Sequence, residues 1–559
     1  MKSLKTLFFV RKSFWLWLSI MVVGIHGASI VVSVLPRLLL IRHDASDIST
    51  SVYIELLTGL TLIYLWSLLL RHKRNAWLVA VSVYLFLLGY NLDAVIMSAA
   101  RHDMVGPDIV RRLILPAAVV IPLFLLRRSF TVHSDMQSFR SAIKLTSLLL
   151  VVTFLYGVGG FMMLDNHDFH QEISPLSAAH YTLDRFDLTT AQPLRPQTKR
   201  AELFMQSLSV LSIGALIYAL LAFFQPLKNR RAVSHQDVNE AIALIEAHPR
   251  SSEDFFKTWP KDKHYLFTPD RQAALGYKVA HGVALVAGDI FGARVRSERL
   301  IQEFEDMCYV NDWLPAIVYT GSANRNFYEK HDYSLQLIGR EAVVDVAHFQ
   351  TELANNKYFR QIRNRYAKLD YATEWLKPPH STELLDNLRQ VSDEWLQQPG
   401  RTERGFMLGY FSVGYMQKCE ILVARDADGK ITAFLNRLPS PVPAEASYDL
   451  LRSSQTAPGN SNDYLLMSFI DQLASEKVAR LNLGLCPLAG VDETDENSIV
   501  NVAMRFIYAN GNRFYSFRGL ERFKAKYEPE WHDRFIAYKG GVRGFSKTMR
   551  ALTSAMKIS

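Results

Sequence analysis

Over roughly the first 224 residues, apolar positions run together in blocks of about 20 with no polar stripe, the length a helix needs to cross about 30 Å of hydrocarbon. Beyond them they fall into short alternating groups and groups spaced three to four apart. The first part therefore reads as membrane-spanning and the remainder as water-soluble. Six spans are predicted, at 14–36, 52–70, 76–100, 113–126, 145–164 and 203–224, the fourth short and carrying Pro116 and Pro122. The first block is too long for a signal-peptide core and is followed by further spans instead of a small-residue cleavage site, so it is expected to stay in the mature protein.

In the second part, Ser234, Asp237 and the apolar Val238, Ile242 and Ile245 predict a capped amphipathic helix. Strand-like runs at 265–267, 283–286, 316–319 and 342–346 alternate with helix-like runs at 298–309 and 357–369. A second series holds a helix from about Glu383, strands at 419–425 and 431–437, a helix at 464–477 and a strand at 480–483. The fold class predicted is a multi-pass α-helical membrane domain at 1–231, followed by two α/β (α+β) units at 232–380 and 381–559. The Pro- and Ser-rich stretch 378–381 marks their junction.

Charge adds an orientation. Basic residues cluster before span one (Lys2, Lys5, Arg11, Lys12), between spans two and three (Arg71, Lys73, Arg74), between four and five (Arg127, Arg128, Arg140, Lys144) and after six (Lys228, Arg230, Arg231). By the positive-inside rule both termini and the soluble part are cytoplasmic. The net charge of +9 suits anionic lipid or RNA without choosing between them. Three scattered cysteines form neither a disulfide framework nor a zinc site. His26, Glu55 and Asp93 are costly in spans, and interhelical hydrogen bonding is the expected role of His26 and Asp93.

The reaction is carried by longer strings: KHYLFTPDRQAALGYKVAHGVALVAGDIFG (263–292), GREAVVDVAHF (339–349), RGFMLGYF (404–411), ITAFLNRLP (431–439), SYDLLR (447–452), LNLGLCPLAG (481–490) and GNRFYSFRGLERFKAKYEPEWHDRFIAY (511–538). In this order they resemble the synthase domain of the MprF family, the bacterial phosphatidylglycerol aminoacyltransferases. The resemblance implies two GNAT-like acyltransferase folds in tandem, with a tunnel between them for the acceptor end of aminoacyl-tRNA and for phosphatidylglycerol. It implies a bacterial inner-membrane enzyme that uses aminoacyl-tRNA as co-substrate, with no metal or small cofactor. Only six spans precede the domain, so synthesis is implied while export falls to a separate flippase; homo-oligomerisation and the amino acid are left open, lysyl being the commonest in the family. A second departure is APGNSNDYL at 457–465, where the family has a Gly-Thr-Met-Asp-like run and Asp463 keeps its place.

Transesterification from the tRNA ribose ester to the lipid glycerol hydroxyl needs positioning, a proton relay, donors for an oxyanion and cations for phosphates. Asp449 and Arg452 are the first catalytic candidates, Asp449 to orient the α-amino group or assist proton transfer and Arg452 to bind phosphate or ribose; a structural ion pair is the bland alternative. Lys524 and Lys526 follow, with Arg522, as a basic row on an extended segment, against the alternative of a solvated basic edge. Substrate-binding candidates are Asp463, Arg505, Tyr515, Arg518, Arg522 and Glu528, with Tyr515 and Phe517 placed to stack on the terminal adenosine. Arg360, Arg363, Arg365 and Lys368 form a basic helical face for RNA or lipid head groups, or for solvent alone. The rival readings are aminoacyl transfer to a lipid-linked cell-wall precursor and a non-catalytic lipid transporter or scaffold. An acetyl-CoA enzyme is disfavoured because the Gln/Arg-x-x-Gly-x-Gly/Ala pyrophosphate loop is absent from the sequence.

Overall fold

The computed structural model describes residues 2–39, 50–70, 72–100, 107–130, 136–164, 166–169, 173–184, 196–223, 233–491 and 517–558. The chain divides into one unit of Met1–Leu227 with Val310–Asp312, and a second of Lys228–Tyr309 with Trp313–Ser559.

The first unit is helical, with long helices at Lys2–Leu39, Thr50–Leu69, Arg74–Ala100, Pro107–Leu125, Met136–Met163 and Lys199–Phe223. Among the described residues one stretch, Phe14–Pro36, is long and apolar enough to cross a membrane; Thr58–Leu69, Arg74–Gly89, Leu113–Leu125 and Ser147–Met163 are shorter apolar helical stretches. The first two helices touch where glycines meet: a Cβ on Gly27 would lie 2.8 Å from the Gly59 carbonyl oxygen. Small residues permit this backbone approach, as in helix pairs packed within lipid. His26 Nδ1 is 2.9 Å from the Tyr84 hydroxyl, the interhelical bond expected of His26. The Asp93 side chain lies outside the described residues. Large apolar side chains face outward, Leu125 at 73% and Val210 at 69% exposure.

In the second unit, Ser234 accepts from the Asp237 amide and caps the helix His235–Ala247, which buries Val238, Ala241 and Ile245. The body is one sheet built from β1 (His264–Phe267), β2 (Ala273–Ala280), β3 (Val283–Ala287), β4 (Phe291–Gly292), β5 (Leu314–Gly321) and β6 (Ser334–Asp345), then β7 (Ala372–Leu376), β8 (Glu420–Arg425), β9 (Ile431–Arg437), β10 (Glu445–Ser453), β11 (Arg480–Pro487) and β12 (Glu530–Tyr538). Its order is β1-β2-β3-β5-β12-β6-β11-β10-β9-β8-β7, with β4 on β2. The β2–β3 hairpin turns through His281 and Gly282, both at positive φ, the backbone a two-residue primed turn needs.

The order is a near palindrome. In one half β3 pairs in parallel with β5, and in the other β10 pairs in parallel with β11. Parallel neighbours need a crossover, supplied by the helix Glu298–Val310 in the first case and Ser461–Ser475 in the second. At the centre the halves trade strands: β12 lies between β5 and β6, while β6 lies between β12 and β11. The first crossover helix buries Leu300, Ile301, Phe304 and Cys308 on one stripe, and the second buries Leu465, Leu466, Phe469, Ile470 and Leu473 in the largest core.

Candidate functional site

Strands β10 and β11 pair only over Glu445–Ser447 and Arg480–Asn482. Past that rung β10 follows β9 through a register shift between Tyr448 and Leu451, and β11 follows β6 through another between Asn482 and Leu485. Where parallel strands part, backbone polar groups lose their ladder and must find other partners. Buried polar side chains collect at this opening.

Both residues of the last rung hold a carboxylate. Ser447 Oγ donates to Glu253 Oε1 at 2.8 Å, and Asn482 Nδ2 donates to Glu341 Oε1 at 3.0 Å. Glu341, 1% exposed, also accepts from the Tyr319 hydroxyl at 2.7 Å and pairs with Arg534. Two residues further along β11, Lys524 Nζ donates to the carbonyl oxygens of Gly484 at 2.9 Å and Leu485 at 3.0 Å. The ammonium thus takes over acceptors that the parting strands leave behind. Burial pushes the Lys524 ammonium below its ordinary range, against the charges of Glu253 and Glu341. Withdrawal from water, then the Glu341 charge, raises the Glu253 carboxyl to about 8.

Asp449 accepts from the Tyr415 hydroxyl at 2.9 Å, and burial raises it to about 6 against the pull of Tyr415, the Gly409 amide and Arg452. A Cβ on Gly409 would overlap the Asp449 carboxylate, so only glycine lets that loop close over it. Arg452, 3% exposed, pairs with Glu403 at 2.8 Å and also binds Ser392. The structural Asp449–Arg452 ion pair is therefore not adopted: both residues lie on β10, and the arginine's ion pair is with Glu403.

Asp463, 3% exposed, anchors a further group at the start of the Ser461–Ser475 helix. Its carboxylate receives Lys526 Nζ at 2.6 and 2.8 Å, Tyr527 at 2.7 Å and Tyr358 at 2.9 Å. The charges of Glu253 and Asp463 both act on the Tyr448 hydroxyl, which links the two groups electrostatically.

The basic row at 522–526 is corrected. Phe517–Ala525 is a helix, so alternate residues do not share a side. Lys524 turns inward at 4% exposure, Arg522 faces solvent and Lys526 follows in the turn after the helix. Phe517 opens this helix and is not part of a strand. Arg518 is exposed, and Glu528 meets His348 at 3.0 Å on the surface. Arg505 and Tyr515 lie outside the described residues. Of the candidates, the structure gathers Asp449, Arg452, Asp463, Lys524 and Lys526 into one region. It adds Glu253, Glu341, Tyr319, Tyr415 and Arg534, which the sequence reading missed. A charged residue inside the apolar run of GREAVV was the available signal for Glu341; Glu253 carried none beyond its place in a helix-cap pattern.

Fold and site together define an acyltransferase-like domain built on one continuous mixed sheet, with acid–base groups enclosed where two parallel strands part. A profile described as "Phosphatidylglycerol lysyltransferase, C-terminal" matches residues 242–538, and the chain belongs to that family. The phosphatidylglycerol lysyltransferase of Bacillus subtilis (strain 168) is 32% identical over 293 residues, covering 52% of this chain and 34% of the relative. That of Staphylococcus aureus (strain MRSA252) is 26% identical over 296 residues, 52% and 35% of the two chains. The match thus spans about a third of these curated relatives. Among solved structures, L-PGS from Bacillus licheniformis superposes with a TM-score of 0.51 at 28% identity, over 58% of this chain and 98% of that one. The C-terminal domain of a putative lysylphosphatidylglycerol synthetase from Agrobacterium fabrum gives 0.50 at 26% identity, over 57% and 97%.

Proposed function

We propose that the chain moves an aminoacyl group, lysyl first among candidates, from aminoacyl-tRNA to the glycerol hydroxyl of phosphatidylglycerol in the inner leaflet of a bacterial inner membrane. The observation that carries this reading is the enclosed acid–base cluster at the β10–β11 parting, which lies within the matched span 242–538. The exchange of one ester for another has little overall free-energy change, so enclosed, prepositioned groups that orient the reactants and stabilise developing charge can carry most of the catalysis. In this reading Asp449 receives the α-ammonium of the aminoacyl group. Arg452, engaged by Glu403 and Ser392, supplies fixed positive charge beside it. The ammonium groups of Lys524 and Lys526 stabilise oxyanion and phosphate charge.

Six spans, with both termini cytoplasmic, complete the reading, because tRNA and the inner leaflet meet only on that side. Outward apolar faces on the helical unit support it, since a surface so rich in exposed large apolar side chains suits lipid better than water. No metal or small cofactor enters the reaction as proposed.

The test is expression in a bacterium that lacks aminoacylated lipids, followed by mass spectrometry of its phosphatidylglycerol fraction. A phosphatidylglycerol species heavier by one aminoacyl residue is expected, and its mass identifies the amino acid. Unmodified phosphatidylglycerol together with an aminoacylated cell-wall precursor would overturn the choice of acceptor.

A further inference from the structure

Three carboxyl groups of the second unit meet at the strand opening, where the charges of Glu341 and Asp449 both act on Glu253. Two of them are committed. Glu341 is held by Tyr319, Asn482 and Arg534, and Asp449 by Tyr415 and the Gly409 loop. Glu253 differs. It stands on the short 3₁₀ turn Ser252–Lys257, which is tied to β10 by Ser252 bonds to Glu445 at 2.9 and 2.7 Å. Its Oε1 is anchored by Ser447, while its other oxygen has no hydrogen-bond partner among the described residues and it makes no ion pair there. The neighbouring cations are engaged elsewhere, Lys257 with Asp254 at 2.7 Å and Lys524 with backbone carbonyls. A carboxyl fixed through one oxygen, with the other free at the last rung before two strands separate, is built to exchange a proton with something that enters the opening.

We propose that Glu253 carries the transferred proton, an inference that rests on the aminoacyl-transfer reading above. Its free oxygen takes the proton of the lipid glycerol hydroxyl as that oxygen bonds to the aminoacyl carbonyl carbon. It then returns the proton to the ribose oxygen as the original ester bond breaks. One bond forms, one breaks and the proton passes between the two alcohols, so no other reactant is needed. The groups facing Glu253 set when it is ionised: Glu341 on β6, Asp449 and Tyr448 on β10, Tyr319 on β5 and Lys524 on the Phe517–Ala525 helix. A base whose folded value is about 8 works near the operating pH, where both halves of a proton shuttle are efficient.

The experiment compares full-length wild type with Glu253→Gln and Glu253→Asp in detergent–phosphatidylglycerol micelles. It measures single-turnover transfer from lysyl-tRNA between pH 6 and 9.5, with lysyl-tRNA hydrolysis subtracted and tRNA affinity measured alongside. In wild type the rate should climb with pH and level off above about 8. Glutamine keeps the acceptor for Ser447 but cannot take a proton; its rate should fall on the order of 100-fold or more and lose the rise, with tRNA affinity unchanged. Aspartate should retain the rise at a reduced rate. A glutamine variant with the wild-type profile would overturn the inference, as would equal loss in both variants with a flattened profile and unchanged affinity. Absence of transfer by wild type would overturn the underlying reading instead. If the glutamine variant fails to fold, the aspartate profile decides: a retained rise supports the assignment, and a flat one at wild-type rate removes it.

Discussion

At the scale of single residues, the site stores unfavourable electrostatics. A carboxyl that stays protonated to about pH 8 when folded, but ionises near its ordinary 4.5 when unfolded, binds more protons in the native state. Stability from Glu253 is therefore full below about 4.5 and is lost as pH rises through about 8. Glu253→Gln should leave the melting temperature unchanged at pH 4.5 and raise it at pH 8.5, by an amount worth on the order of a few kcal/mol; thermal melts of the detergent-solubilised protein at the two pH values measure this. Stability gained where activity is lost is the usual signature of a residue kept for function. The sequence could not show this tension. Asp449, Arg452, Asp463, Lys524 and Lys526 stand in recognisable strings, but the raised Glu253 depends on its burial and on the charges of Glu341 and Asp449, which reach it from distant segments.

At the scale of elements, legibility followed how cleanly each one faces a single environment. β3 and β5 are apolar along their length, and Glu298–Val310 shows a full helical stripe, so the pattern predicts all three. β6 was readable only from Ala342, because Glu341 interrupts its apolar run on behalf of the site. β10 has its alternation broken by the register shift that sets Asp449, and it escaped notice. The Phe517–Ala525 helix was mistaken for an extended segment because basic residues at 522, 524 and 526 alternate, whereas its inner side carries Lys524 near Phe523 and Tyr527. The Gly409 loop gives a direct test of this level. Gly409→Ala must move either the loop or the Asp449 carboxylate, at a cost of about 1–3 kcal/mol of stability. A displacement of that size should lower the transfer rate about 100-fold, read from initial rates beside a melting curve.

Considered whole, the second unit is not two beads on a string. The exchange of β6 and β12 means that residues 233–380 contain β5 and β6 but lack the strand that joins them. Expressed alone, this fragment should be insoluble or fail to give a cooperative melt, while 233–559 should give one transition; circular dichroism during heating distinguishes the two. The alternation of elements predicted two comparable α/β series; the sheet joins them in one body, and strand exchange left no local mark, since pairing partners far apart in sequence are invisible to any window of neighbouring residues. The helical unit was legible in outline from its apolar blocks, and helices occur at all six predicted positions.

The late strand also governs biosynthesis. At about 5–20 residues per second, a ribosome needs roughly 10 to 40 s to travel from the end of β6 to the start of β12. Throughout that interval the nascent polypeptide displays a gap between β5 and β6 that only its own distal segment can fill. Catalytic competence is thus withheld until β12 has been synthesised, and a chaperone that shields open strand edges would be the natural companion of the newborn chain.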